Sequence, residues 1–339
     1  MAKQISVGVV GLDHWYTAFG VVRAAAQGPG TSLAAVADKS KRRLAAVTKE
    51  TKPGYTTSDF RKVIADPDVD LICCLVNTRD SVALTRAALR AGKHVACVKP
   101  MAMNLRQADA LIELAERQGC VLWSFDQLGR AGASKELKSL LKRGAIGQPL
   151  SFYQVMESGL PRSWPNSTSP GWWIDEKLVP FGAWADHAIY TIDMLRALFD
   201  ADVEAVHGEI ANRRYPRLKV EDWGAAVLRL SNGVVAVLED TWTADSYSPH
   251  WTKIVGTKGA VHMEPAAFKE PVVVATPKGV KALPAPARRG GPLGPVLKLI
   301  NAGAAKPSPA RESRTNLAIA LAVYKSAKTG KYVRPDEMR

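Results

Sequence analysis

The chain has 339 residues, 47% hydrophobic and 23% charged, which is the profile of a folded protein long enough for two domains and excludes a disordered chain or a single small module. No apolar run approaches the roughly 20 residues of a membrane helix, and no signal-peptide pattern precedes the first strand at Ile5, so a cytoplasmic protein without membrane attachment is expected. The net charge of +14 raises nucleic acid as a partner, but 14 basic against 4 acidic residues from Lys269 to Arg339 put +10 of it in the C-terminal fifth, scattered and without a zinc-finger, RRM or basic-zipper signature, so no nucleic-acid partner is expected.

Residues 1–125 alternate short β-branched runs with helical patterns, the mark of βαβ units around a parallel sheet. ISVGVV (5–10) reads as the first strand and SLAAVAD (32–38) as the second. DLICCLV (70–76) is almost continuously apolar, as a strand covered on both faces should be. HVACV (94–98) and CVLWSF (120–125) continue the series, with helix patterns at 80–91 and 105–118. Cys73, Cys74, Cys97 and Cys120 sit in or beside these runs without metal-ligand spacing and read as core thiols. The six histidines show no ligand spacing either, so no metal is expected. The fold class is therefore α/β, with an N-terminal doubly wound Rossmann domain over 1–125.

Residues 126–339 change character, to alternating runs joined by hairpin signals. AAVLRLSNGVVAVLEDTW (225–242) holds Asn232 and Gly233 as a two-residue turn between strands. SFYQVMES, VEAVHGEIA, WTKIVG and AVHM add strands, while AWADHAIYTIDMLRALF (183–199) reads as a helix. Residues 284–310 look like a loop and RTNLAIALAVYKSAKTGK like a closing helix, able to pack back on the first domain. This half is expected to be an α+β substrate-binding and oligomerisation domain, with a large, mainly antiparallel open-faced sheet.

Five places carry chemistry. The turn after the first strand keeps only Gly11 of a GxGxxG loop; Asp13 and Tyr16 occupy the other two glycine positions, and Asp13 is expected to cap the following helix. Asp38 closes the second strand where an acid would bond a ribose 2′-hydroxyl, or else caps the next helix. It favours NAD, while the cations after it, among them Lys39 and Arg43, leave NADP open. Lys99, in AGKHVACVKP, reads as the last residue of its strand, held there by Pro100; it is either an amine aimed at a ligand or a surface lysine. Asp186, Tyr190 and Asp193 share one face of the 183–199 helix, with His187 about 100° around from Asp186. Polar groups on a helix this apolar need partners, and a substrate is one. Trp172 and Trp173 belong to a tryptophan-rich stretch that suits either a sugar ring or a subunit interface.

ISVGVVGLD, AGKHVACVKPMAMNLRQADAL, PGWWIDE, FGAWADHAIYTID and YKSAKTGKYV together resemble the Gfo/Idh/MocA oxidoreductases, named for glucose-fructose oxidoreductase and inositol dehydrogenase. The resemblance implies that Lys99 bonds the reacting hydroxyl, that Asp186 binds substrate, and that Tyr190 stands where a catalytic histidine is usual. Lys99, Asp186 and Tyr190 are thus the expected catalytic group. Gly11, Asp13, His14, Asp38, Lys39, Arg43, Asn77 and Lys99 are the expected cofactor contacts; Trp172, Trp173 and His187 join the catalytic group as substrate contacts. A phenol of pKa about 10 needs a nearby cation to act near neutral pH, and Lys99 is the candidate. Val98 in place of the usual glutamate, the altered glycine loop and Tyr190 mark a divergent branch.

The expected function is NAD(P)-dependent hydride transfer at a hydroxyl or carbonyl carbon of a sugar, cyclic polyol or sugar derivative, in a homodimer or homotetramer. The alternatives are a non-catalytic sugar-sensing or regulatory binding protein of the same fold and a redox-neutral enzyme that retains its NAD.

Overall fold

The first-half strands are short, and apart from one at the sheet edge they are mostly apolar and buried, as strands of a parallel sheet covered by helices on each face should be. The computed structural model describes residues 4–131, 134–244, 250–263, 272–283 and 291–338. Strands β1 (Ile5–Val10), β2 (Thr31–Ala37), β3 (Tyr55–Thr57), β4 (Leu71–Cys74), β5 (His94–Cys97) and β6 (Leu122–Ser124) form one sheet in the order β3-β2-β1-β4-β5-β6. Every pairing in it is parallel. Helices α1 (Trp15–Gln27), α2 (Lys41–Glu50), α3 (Phe60–Ala65), α4 (Thr78–Arg90) and α5 (Leu105–Gln118) make the crossovers. The strand order reverses between β1 and β4, and the crevice beyond the carboxyl ends there is where such sheets take ligands. β3 has no counterpart in the sequence pattern, because three half-buried or exposed residues on a sheet edge leave no apolar run to read.

Contacts divide the chain into two units. The first comprises Met1–Leu128, Arg162–Pro180 and Arg289–Arg314; the second comprises Gly129–Pro161, Phe181–Arg288 and Thr315–Arg339. The first unit thus takes in two segments from beyond the boundary expected at 125/126. One carries α8 (Gly294–Asn301), which puts Val296, next to the preceding Leu293, into the core with Val21 and Val22 of α1. A helix here corrects the loop expected over 284–310, of which residues 284–290 lie outside the described residues; Pro295 in the first turn fixes a helical φ, and Val296 supplies the buried contact.

The second unit holds α6 (Lys135–Lys142), α7 (Ala183–Phe199) and strands β7 (Pro149–Glu157), β8 (Val203–Ala211), β9 (Trp223–Leu230), β10 (Val235–Thr241), β11 (His250–Gly256), β12 (Gly259–Met263), β13 (Val272–Thr276) and β14 (Gly279–Leu283). They form one sheet in the order β14-β13-β12-β11-β7-β10-β9-β8, antiparallel except for the parallel pair β7 and β10. α7 packs on β9 and β10, and from Thr315 onward α9 (Ala310–Thr329) lies in the same unit, where the Trp184 indole donates to Ala320 O at 3.2 Å. Ala236 and Leu238 of β10 are buried, while Val235 and Val237 alternate with them at 37% exposure each, so one face of the sheet is open.

The β9–β10 connection corrects the expected turn. The strands end at Leu230 and resume at Val235, Gly233 N–H bonds Leu230 O at 3.0 Å, and among Ser231, Asn232 and Gly233 only the glycine has positive φ. That is a tight turn closed by a left-handed glycine, with Asn232 Oδ1 accepting Val234 N–H instead of standing at positive φ itself.

Candidate active site

In the first unit the loop after β1 is fixed by its own backbone. Gly11 has φ +83°, and a Cβ there would stand 2.2 Å from Val76 Cγ1, so only glycine makes this turn. Gly11 N–H bonds Ala37 O and His14 N–H bonds Leu75 O, tying the loop to β2 and to the end of β4. Leu12 N–H donates to Asp38 Oδ2 at 2.8 Å and Ser40 N–H to Asp38 Oδ1 at 2.7 Å. Asp38 is therefore not the cap of α2; Ser40 is, through its acceptance of Arg43 N–H. Burial pushes the Asp38 carboxyl above the usual range, against its two backbone hydrogen bonds and the Arg43 charge. Each Asp38 oxygen has taken one N–H and keeps acceptor capacity for a ribose hydroxyl.

Asp13 does not cap α1, which corrects the expectation. The helix starts at Trp15 with His14 in the N-cap position and no side-chain cap, because the Asp13 carboxylate instead accepts a hydrogen bond from Arg43 Nη1. The same guanidinium lies 3.8 Å from Asp38 Oδ2, donates to Ser163 O at 3.3 Å and sits 5.1 Å from the centre of the Trp164 ring. Lys39 is drawn elsewhere: its amine bonds Ser58 O at 2.8 Å over the Phe60 ring. Asn77 caps α4, with Oδ1 accepting Asp80 N–H and Nδ2 donating to Asp80 Oδ2.

Lys99 is 3% exposed, which removes the surface-lysine alternative. β5 ends at Cys97 and not at Lys99, since Val98 N–H is the last to bond back, to Cys74 O; Lys99 and Pro100 follow across a cis peptide bond. Trp172 and Trp173 stand on a single helical turn in the 162–180 segment of this same unit. Their rings stack at 4.5 Å, and the His14 ring lies 5.4 Å from Trp173. The tryptophan pair is thus built onto the glycine loop. Trp15 and Tyr16 complete the attachment: Trp15 Nε1 donates to Arg162 O at 2.8 Å and Arg162 N–H donates to the Tyr16 hydroxyl at 3.1 Å. Nothing in the sequence pattern reveals this clasp, because its partners stand about 147 residues apart.

In the second unit, α7 positions Asp186 in its first turn and Tyr190 one turn later. Trp242 Nε1 donates to Asp186 Oδ2 at 3.2 Å, and His187 Nε2 reaches within 3.4 Å of the same oxygen, closer than its angular offset on the helix suggests. The Tyr190 backbone lies against Gly129, where a Cβ would fall 2.0 Å from Tyr190 O. Asp193 is fully buried and accepts from Arg130 N–H, Arg130 Nε and Asn316 Nδ2, so protein groups answer the need for partners that a substrate was one candidate to meet. The N-terminus of α7 is held by a residue with no local sequence signal. Glu221 accepts Gly182 N–H at 2.9 Å, Trp184 N–H at 3.1 Å and the Tyr324 hydroxyl at 2.7 Å. Burial pushes its carboxyl up to about 7 in spite of those bonds.

Among the described residues no group of three or more His, Cys, Asp or Glu side chains is placed to hold a metal ion, and no helix is long and apolar enough to cross a membrane. The first unit does fit a dinucleotide: the turn glycine, the spare acceptors of Asp38 and the buried lysine beyond β5 are all in place.

Comparison with known proteins agrees with this geometry. Residues 5–125 match the oxidoreductase family with an NAD-binding Rossmann fold, and residues 134–262 match the GFO/IDH/MocA C-terminal domain. The chain is 27% identical over 306 residues to a 1,5-anhydro-D-fructose reductase of Ensifer adhaerens, covering 89% of this chain and 90% of the relative. It is 25% identical over 249 residues to a myo-inositol 2-dehydrogenase of Thermotoga maritima, covering 72% and 70%. A solved levoglucosan dehydrogenase, in complex with NADH and L-sorbose, shares the fold with a TM-score of 0.79 at 23% identity over 98% of this chain and 99% of that one. With a Rossmann unit, a mainly antiparallel second sheet and both family domains in sequence, the chain belongs to the GFO/IDH/MocA family of NAD-binding oxidoreductases.

Proposed function

We propose that this chain is an NAD-dependent dehydrogenase or reductase acting on a hydroxyl or carbonyl carbon of a sugar, cyclic polyol or sugar derivative. The observation that carries the reading is the buried amine of Lys99, two residues beyond the end of β5, on the ligand-binding edge of a parallel sheet. The names of the relatives, a reductase of an anhydro sugar and a dehydrogenase of inositol, support the substrate class.

The bound dinucleotide supplies nicotinamide C4 as hydride acceptor or donor. Lys99 donates a hydrogen bond to the reacting oxygen and holds it. Tyr190, as its phenolate, takes the hydroxyl proton when the carbinol is oxidised and becomes the neutral phenol, which returns the proton in the reverse direction. Asp186, oriented by the Trp242 indole, accepts a substrate hydroxyl, with His187 beside it. Trp172, half-buried, offers an apolar face to a sugar ring, backed by Trp173. Asp38 accepts the adenosine ribose hydroxyls, which favours NAD. In this division of labour the first unit binds cofactor and supplies Lys99 and the tryptophan pair to the substrate, while the second supplies Asp186, His187 and Tyr190 and associates with further copies, as a dimer or tetramer, through the open sheet face around Val235, Val237 and Trp251. Four buried thiols, with no disulfide among the described residues, fit a cytoplasmic setting.

The test is a screen of sugars and cyclic polyols with NAD, and of keto sugars with NADH, read by nicotinamide absorbance. Turnover of at least one compound is expected. Tight dinucleotide binding with no turnover of any would overturn catalysis in favour of a sensing role.

A further inference from the structure

We propose that Asp13 is a specificity-determining residue: by holding the Arg43 guanidinium it closes this chain to a 2′-phosphate and selects NAD(H) over NADP(H). The inference rests on the dinucleotide reading above and concerns the same site. Four cations, Lys39, Lys41, Arg42 and Arg43, follow Asp38 within five residues, a composition suited to a 2′-phosphate. The structure engages two of them. Lys39 is committed to the Ser58 carbonyl and the Phe60 ring. Arg43 is committed to the Asp13 carboxylate, and its position is determined from two further sides by Ser163 O and the Trp164 indole.

Ser163 is itself held in place, because the neighbouring Arg162 is clasped through its carbonyl by Trp15 and through its N–H by Tyr16. The residues that break the glycine pattern after Gly11 therefore share one result. Tyr16 helps fix the 162–164 segment, and Asp13 pins Arg43 against it.

Asp13, Arg43 and Asp38 together carry one net negative charge, with Arg43 within 3.8 Å of Asp38. A neutral ribose 2′-hydroxyl donates into Asp38, whose oxygens each retain acceptor capacity. A 2′-phosphate, close to doubly negative, meets two carboxylates and must first draw Arg43 away from Asp13. A glycine or alanine at position 13 leaves Arg43 free to turn to the phosphate as a bidentate donor.

The experiment is fluorescence titration of the full-length protein and its variants with NADH and NADPH. The wild type is expected to bind NADH at least tenfold more tightly than NADPH. Asp13→Ala should shift the ratio of NADPH to NADH affinity at least tenfold toward NADPH, and Asp13→Ala with Arg43→Ala should lose that shift. Arg43→Ala alone should keep the wild-type preference, since Arg43 is already withheld from the phosphate. Asp13→Asn, which keeps the size and an acceptor, guards against misfolding of the alanine variant and should relax the preference at least threefold. Wild type binding NADPH as tightly as NADH, or variants at position 13 with an unchanged ratio, would overturn the inference while leaving the dinucleotide reading intact. Binding of neither nucleotide by any folded form would overturn that reading, and this inference with it.

Discussion

Glu221 ties the N-terminus of α7 to the rest of its unit, and its buried carboxyl makes stability depend on pH in a direction opposite to that of an ordinary ion-paired carboxylate. In the unfolded chain the carboxyl titrates near 4.5; in the folded protein burial raises this to about 7, although Tyr324 and the Gly182 and Trp184 amides all favour the charged form. Below the unfolded value both states are protonated and the full contribution is present. Between the two values the folded state keeps a proton that the unfolded state has released, so stability falls as pH rises, and the loss is complete above the folded value. The rise from 4.5 to about 7 corresponds to about 3 kcal/mol at roughly 1.4 kcal/mol per pH unit. The assay is urea unfolding of the wild type and Glu221→Gln at a series of pH values from about 4 to 8. The wild type should lose about 3 kcal/mol relative to the glutamine variant across that window. A difference that stays flat, or one that favours the wild type more as pH rises, would refute the burial argument.

Gly11→Ala should destabilise the first unit by about 2 kcal/mol or more and abolish NADH binding, because it places a Cβ at positive φ against Val76; a thermal melt and an NADH titration check both effects. Arg130→Ala should cost about 3 kcal/mol in urea unfolding, since it strips a charge partner from fully buried Asp193, whose carboxyl burial already raises. Restoring stability by adding Asp193→Asn would show the cost to be the stranded charge and not the lost arginine stem.

How legible these features are in sequence depends on the distance over which they are built. β4 can be read because it is apolar and buried throughout, β1 and β2 because their runs are mostly apolar and mostly buried, and the bounds of α7 follow from seventeen residues without glycine or proline. β3 cannot, being three residues on an edge. Asp13 misleads for a physical reason: its residue type and position suit an N-cap, but an arginine thirty residues on offers a full charge where the helix offers only amides. Trp172 and Trp173 read as second-domain residues by position, yet contacts with His14 and Tyr16 place them in the first unit. Lys99 is legible as a candidate through its strand and proline; its burial is not, because it depends on tertiary contacts that no local pattern encodes.

The central claim, that Lys99 serves hydride chemistry at the edge of the parallel sheet, is tested most directly by turnover of Lys99→Met with a substrate found in the screen. The account predicts an unchanged circular dichroism spectrum and a loss of at least roughly a thousandfold in kcat/KM, on the scale of removing a group that binds the reacting oxygen. Turnover equal to that of the wild type would contradict it.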